Sequence, residues 1–113
     1  MGDLLEGVLE EISDEKALEL VKDFVRIYTI TQRVAGEYSE TFGLNLEERN
    51  RLFWRILQAT TQYVMEATEL ALGGEDMWKY VEGRFERRMK EDYTRRIGDV
   101  LDDYVEIAEE NRV

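Results

Sequence analysis

This chain of 113 residues has no cysteine, no proline and no histidine. Without cysteine there is no disulfide framework, no thiolate zinc site and no thiol nucleophile. Without histidine, carboxylates are the only strong metal ligands and the first choice for a general base. No apolar run approaches the roughly 18–20 residues that span a bilayer, so no membrane partner is expected. Residues 1–7 lack the basic stretch of a signal peptide, and the expected location is cytoplasmic. Glycine-rich phosphate loops and the alternating pattern of strands are missing as well.

What is present is charge and helical periodicity. With 36% charged and 43% hydrophobic residues and no proline, the chain reads as a single all-α domain over 1–113. Its 26 acids against 15 bases give a net charge of −11, a field that repels nucleic acid. Arg84, Arg87, Arg88, Lys90, Arg95 and Arg96 form a basic stretch, but Glu86, Glu91 and Asp92 interrupt it. That pattern suits a helix face laced with ion pairs.

The spacing predicts a helical bundle of three long helices, the last of them continuous or broken in two, plus a short N-terminal amphipathic helix. Leu4, Leu5, Val8, Leu9 and Ile12 mark the short one. After a candidate N-cap at Ser13, a three-four stripe runs through Ala17, Val21, Phe24, Tyr28, Thr31, Ala35, Tyr38 and Phe42. Gly43 ends this helix, and Asn45-Leu-Glu-Glu48 has the form of a capping box opening the next. Gly73-Gly74 closes the middle helix. A last helical region over about 75–110 carries Met77, Val81, Phe85, Met89, Tyr93, Ile97, Leu101 and Tyr104. Gly83 and the stretch 91–94 are the two places where it can break.

The middle helix has apolar residues on two sides. Leu52, Phe53, Ile56, Leu57, Thr60, Val64, Ala67 and Ala71 form one face; Trp54, Met65 and Leu72 lie well round from it. A second apolar face implies a partner, and the expectation is a homodimer or higher homo-oligomer. Between the faces runs a polar seam of Arg51, Arg55, Gln58, Gln62, Glu66 and Glu69, on one line for five turns. Arginines pair with phosphate oxygens, glutamines bond a base edge or sugar, and carboxylates hold Mg²⁺, so the seam suits a nucleotide. Its structural alternative is a plain solvent-facing strip. Glu37 and Glu40 make a second Glu-x-x-Glu pair and an alternative metal site.

Glu66-Ala-Thr-Glu69 is followed, after 26 residues, by Arg96-Ile-Gly-Asp99. These segments resemble the MazG-like, all-α nucleoside-triphosphate pyrophosphatases, whose pattern is Glu-x-x-Glu, a spacer, then Glu-x-x-Asp. The resemblance extends to Glu69-Leu-Ala and Asp99-Val-Leu and covers about half of the chain. It implies a helical oligomer that uses Mg²⁺ or Mn²⁺ to hydrolyse a nucleotide and release pyrophosphate. On that reading Glu66 and Glu69 are catalytic and, with Asp99 and Asp103, hold the metal, while Arg51, Arg55 or Arg96 binds phosphates and Gln58 and Gln62 the nucleoside. Arg96 replaces the first acid of the second motif, so Asp102 or Asp103 stands in for it. If Gly73-Gly74 is a tight turn between continuous helices, Asp99 falls near 27 Å from Glu66 and Glu69 at the helical rise. Glu82 is then the better placed companion unless 77–88 is a connector or a partner chain supplies acids. The alternative function is a non-catalytic helical oligomerisation or partner-binding module.

Overall fold

The computed structural model describes residues 14–110, with side chains through Val105. The short helix expected at Leu4 to Ile12 and the cap at Ser13 lie outside the described residues. Four helices follow: α1 (Asp14–Phe42), α2 (Leu46–Glu69), α3 (Gly74–Asp92) and α4 (Ile97–Glu110). Among the described residues no helix is long and apolar enough to cross a membrane.

The α1–α2 corner forms as its local sequence dictates. Gly43 takes φ +63°, and the Leu44 amide donates to the Ser39 carbonyl at 3.1 Å, the bond that closes a left-handed helix end. The Asn45 side chain then accepts from the Glu48 amide at 2.9 Å, and the Asn45 amide donates back to the Glu48 carboxylate at 3.2 Å. The α2–α3 corner departs from expectation. Helix α2 stops at Glu69, before the glycine pair; the left-handed residue that closes it is Ala71 at φ +60°, and Gly74 is left-handed as well, at φ +56°, where α3 opens. The Leu72 amide reaches the Ala67 carbonyl at 2.9 Å and the Ala71 amide reaches Thr68 at 3.0 Å, so hydrogen bonding holds an alanine where glycine fits better. Ala71→Gly should therefore raise stability by about 1 kcal/mol, as relief of left-handed strain outweighs the added unfolded-state entropy. A urea midpoint that falls in this variant would contradict that.

The last helical region breaks at 93–96, not at Gly83, which lies inside α3. No glycine or proline occupies this corner. It is tied by backbone bonds from Tyr93 to Met89 and from Arg95 to Asp92, and by the Thr94 hydroxyl donating to the Glu91 carbonyl.

Helix α2 packs against all three others and is the axis of the core. Tyr38 from α1, Leu52 and Ile56 from α2, Val81 and Phe85 from α3, and Val100 and Tyr104 from α4 are fully buried. Ala59, Tyr63 and Val100 join the core although the expected stripes omit them. Across α1 and α2, Thr31 and Thr60 meet with their hydroxyls 3.2 Å apart. Each donates its proton to its own helix, so these buried hydroxyls are satisfied. Ion pairs from Arg26 to Glu75 and from Arg33 to Glu82, and a bond from Tyr38 to Asp92, show that α1 and α3 run in the same direction. Helix α1 therefore begins about three turns before α3 does, and those turns overhang the start of α3.

Candidate functional site

Three places gather chemistry-bearing side chains: the polar seam of α2, a buried cluster at the α3–α4 corner, and the overhang of α1.

The seam divides. At its lower end the Glu66 carboxylate is engaged by α3: the Tyr80 hydroxyl donates to Oε2 at 3.0 Å, and Arg84 adds bonds at 3.2 and 3.5 Å. Arg84 also lies 4.7 Å over the Tyr63 ring, so Glu66 belongs to a clamp between α2 and α3. Glu69 is exposed. At the upper end Arg51 and Arg55 line a cleft of about 560 Å³ with Trp54 and with Gly98, Leu101, Asp102 and Val105 of α4. Gln58 is exposed and Gln62 half-buried between the two ends.

The candidate acids are correspondingly dispersed. Because Asp102 of α4 shares a cleft with Arg51 and Arg55, it sits about 16–22 Å along α2 from Glu66, at 1.5 Å per residue. The stretch 77–88 is helical, so no connector there brings Asp99 toward Glu66. Asp99 and Arg96 are exposed; Asp103 pairs with Arg95; Asp102 lies on the rim of the cleft. Glu82 faces α1, 3.9 Å from Arg26 and 3.7 Å from Arg33. Glu37 and Glu40 are exposed and line a shallow cleft with Arg33 and Arg49. Among the described residues, no three acids come close enough to hold a metal ion.

The buried cluster was not expected. Asp92, 2% exposed, accepts from the Tyr38 hydroxyl at 2.5 Å. Its other partners are Arg88 at 3.5 Å and Arg95 at 3.4 Å, and Arg95 continues to Asp103. Tyr104 donates to the Tyr38 oxygen at 3.1 Å, since the Tyr38 proton is already committed to Asp92. The Arg88 guanidinium stacks 3.9 Å over the Tyr104 ring. Asp92 lies seven residues after Phe85 and eleven after Val81, hence on the apolar line of α3. An acid on that line, four residues after one arginine and three before another, was the available signal.

Burial, followed by the neighbouring Tyr104 and Asp92, pushes the Tyr38 hydroxyl far above the ordinary tyrosine range. Burial also raises Tyr104, opposed in part by Arg88. Both stay neutral in the folded chain at pH values where the unfolded chain ionises them. Their contribution is fully present below the unfolded value of about 10 and is lost as pH rises beyond it. Stability should fall above pH 10 by about 1.4 kcal/mol per pH unit for each tyrosine. Urea midpoints at pH 9 and pH 11 test this, and Tyr104→Phe should flatten the fall.

Three residues of the basic stretch are ion-paired: Arg88 with Asp92 on its own helix, Arg95 with Asp92 and Asp103 across the corner, and Arg84 with Glu66 of α2. No family model, no curated protein and no solved structure matches this chain.

Among the described residues, the overhang of α1 carries six of the exposed large hydrophobic side chains. Leu18, Leu20, Val21, Phe24, Val25 and Tyr28 are all exposed, Phe24 at 69% and Val21 at 58%. At 3.6 residues per turn they fall within an arc of about 160°. Lys16, Glu19, Lys22, Asp23 and Arg26 occupy the opposite side. The stripe that starts here is the one that further along buries Thr31, Ala35 and Tyr38. Tyr28 meets Phe53 edge-on at 5.8 Å and Phe53 meets Trp54 at 5.6 Å, so the apolar surface continues onto α2.

Proposed function

We propose that this chain is a helical self-association module whose docking surface is the uncovered face of α1. The observation that carries this is the six-residue apolar arc on an otherwise charged helix, exposed beyond the bundle. Half-exposed side chains of this size, at about 150–250 Å² for each aromatic, leave on the order of 500 Å² of apolar surface. That approaches the roughly 800 Å² per partner of a standard interface, with Trp54 and Phe53 able to extend it. The charges bordering the arc suit a second copy. Asp14, Glu15, Glu19 and Asp23 are partly balanced by Lys16 and Lys22, while Arg26 pairs with Glu75 and Glu82 of α3, so the overhang holds only a small share of the −11 of each chain.

The second reading is the MazG-like, Mg²⁺-dependent pyrophosphohydrolase, with a partner copy completing the metal site. It is favoured by the cleft that places Arg51 and Arg55 opposite Asp102 of the second-motif helix. A pyrophosphate-release screen across nucleoside triphosphates, with Mg²⁺ or Mn²⁺, separates the two. The module reading expects no release above blank, and equal melting shifts with Mg²⁺ and with sodium at matched ionic strength. Release, or a saturable Mg²⁺ shift lost in Glu66→Gln/Glu69→Gln, would replace it with the hydrolase.

A further inference from the structure

The cleft between α2 and α4 carries an observation independent of the α1 surface. Arg55 is half-buried in its wall and makes no ion pair among the described residues, in a chain with 26 acids. Among the described residues its neighbour Arg51 pairs with Glu47 alone, at 3.0 Å, on the exposed surface of the same helix. Asp102 shares the cleft yet pairs with neither arginine. The rest of the lining is apolar or small: Trp54, Leu101, Val105 and Gly98. Trp54 is 63% exposed although its indole is the largest apolar group of the wall.

A guanidinium set in an apolar wall without a counter-ion loses hydration and gains no partner, an arrangement that an incoming anion relieves. The volume, about 560 Å³, is that of a small-molecule site, in which an apolar body provides the area and a few polar groups fix its orientation. We infer that this cleft binds an amphiphilic anion: one carboxylate, sulfonate or phosphate head held by Arg55 and Arg51, and an apolar or aromatic body laid against Trp54, Leu101 and Val105. No metal ion takes part. The inference goes beyond self-association, and each can fail alone.

The test uses the full chain carrying Phe24→Asp, which suppresses dye binding at the α1 surface. The probe is 8-anilinonaphthalene-1-sulfonate, followed by its own emission and by energy transfer from Trp54. The uncharged N-phenyl-1-naphthylamine serves as the comparison, and circular dichroism checks each variant's fold. The expected result is one saturable site for the sulfonate, weakened at least ten-fold by Arg55→Gln and partly restored by Arg55→Lys. Binding of the uncharged probe should change less than two-fold in Arg55→Gln, and Trp54→Phe should lower the energy transfer to the part that the second tryptophan, Trp78, supplies. Sulfonate affinity that stays within two-fold in a folded Arg55→Gln variant overturns the proposal. So does equal loss of both probes, or binding confined to nucleotide with Mg²⁺, which would instead favour the hydrolase.

Discussion

Asp92→Ala should lower stability by about 3 kcal/mol and the melting midpoint by at least about 10 °C. The substitution removes three interactions at once. The Tyr38 hydroxyl, wholly buried, loses the carboxylate oxygen it donates to. Arg88, whose side chain is only 18% exposed, loses its counter-ion, and Arg95 loses its link across the α3–α4 corner. Breaking a buried pair from one side is costly because the remaining charge stays desolvated, typically 3–5 kcal/mol. The lower end applies here, since the Arg88 cation still faces the Tyr104 ring and Arg95 keeps Asp103. Asp92→Asn, which still accepts from Tyr38 but carries no charge, should fall between. Asp103→Asn, on the solvent side of the same chain of contacts, should leave the midpoint nearly unchanged. Equal losses in Asp92→Ala and Asp103→Asn would show that the corner is not held by its buried acid.

Phe24→Asp should abolish self-association without unfolding the chain. Phe24 is the most exposed of the six residues of the arc and sits between Leu20 and Tyr28, one turn to either side. Aromatic residues near the centre of an interface commonly carry 2 kcal/mol or more, so the dissociation constant should rise at least about 30-fold. A carboxylate opposite its own symmetry mate adds repulsion. Because Phe24 is 69% exposed and stands outside the core of the described residues, monomer stability should move by no more than about 0.5 kcal/mol. A large loss of monomer stability would mean that this face is covered within the chain.

The legible parts of the fold were those set by neighbours in sequence. Gly43, Asn45 and Glu48 fix the first corner through bonds spanning three to five residues, and each residue type has a stated preference there. The second corner closes two residues before Gly73, because local backbone bonds hold Ala71 in the left-handed position, while Gly74 takes a left-handed φ of its own only where α3 opens. The third corner was legible only as one of two alternatives. Its contacts, from Asp92 to Tyr38 and from Arg95 to Asp103, join residues up to 54 apart in the chain. In the arginine-rich stretch the pairing of Asp92 with Arg88 and Arg95 follows from spacing along the chain, whereas that of Arg84 with Glu66 joins two helices and was not legible. For the candidate site, the spacing of Arg51 and Arg55 placed them on one line of α2, and the structure sets that line against α4. Which acids approach Glu66 was not legible, since that depends on how far α3 runs before it turns. Nor could the stripe on α1 show which of its turns other helices cover, because coverage is fixed by where those helices end.

Sedimentation equilibrium of the unmodified chain, from low to high micromolar concentration, tests the central claim most directly. The account predicts a mass that rises toward twice the 13.4 kDa of one chain, and that stays at 13.4 kDa throughout in Phe24→Asp. An unmodified chain that remains at 13.4 kDa at high micromolar concentration would contradict it.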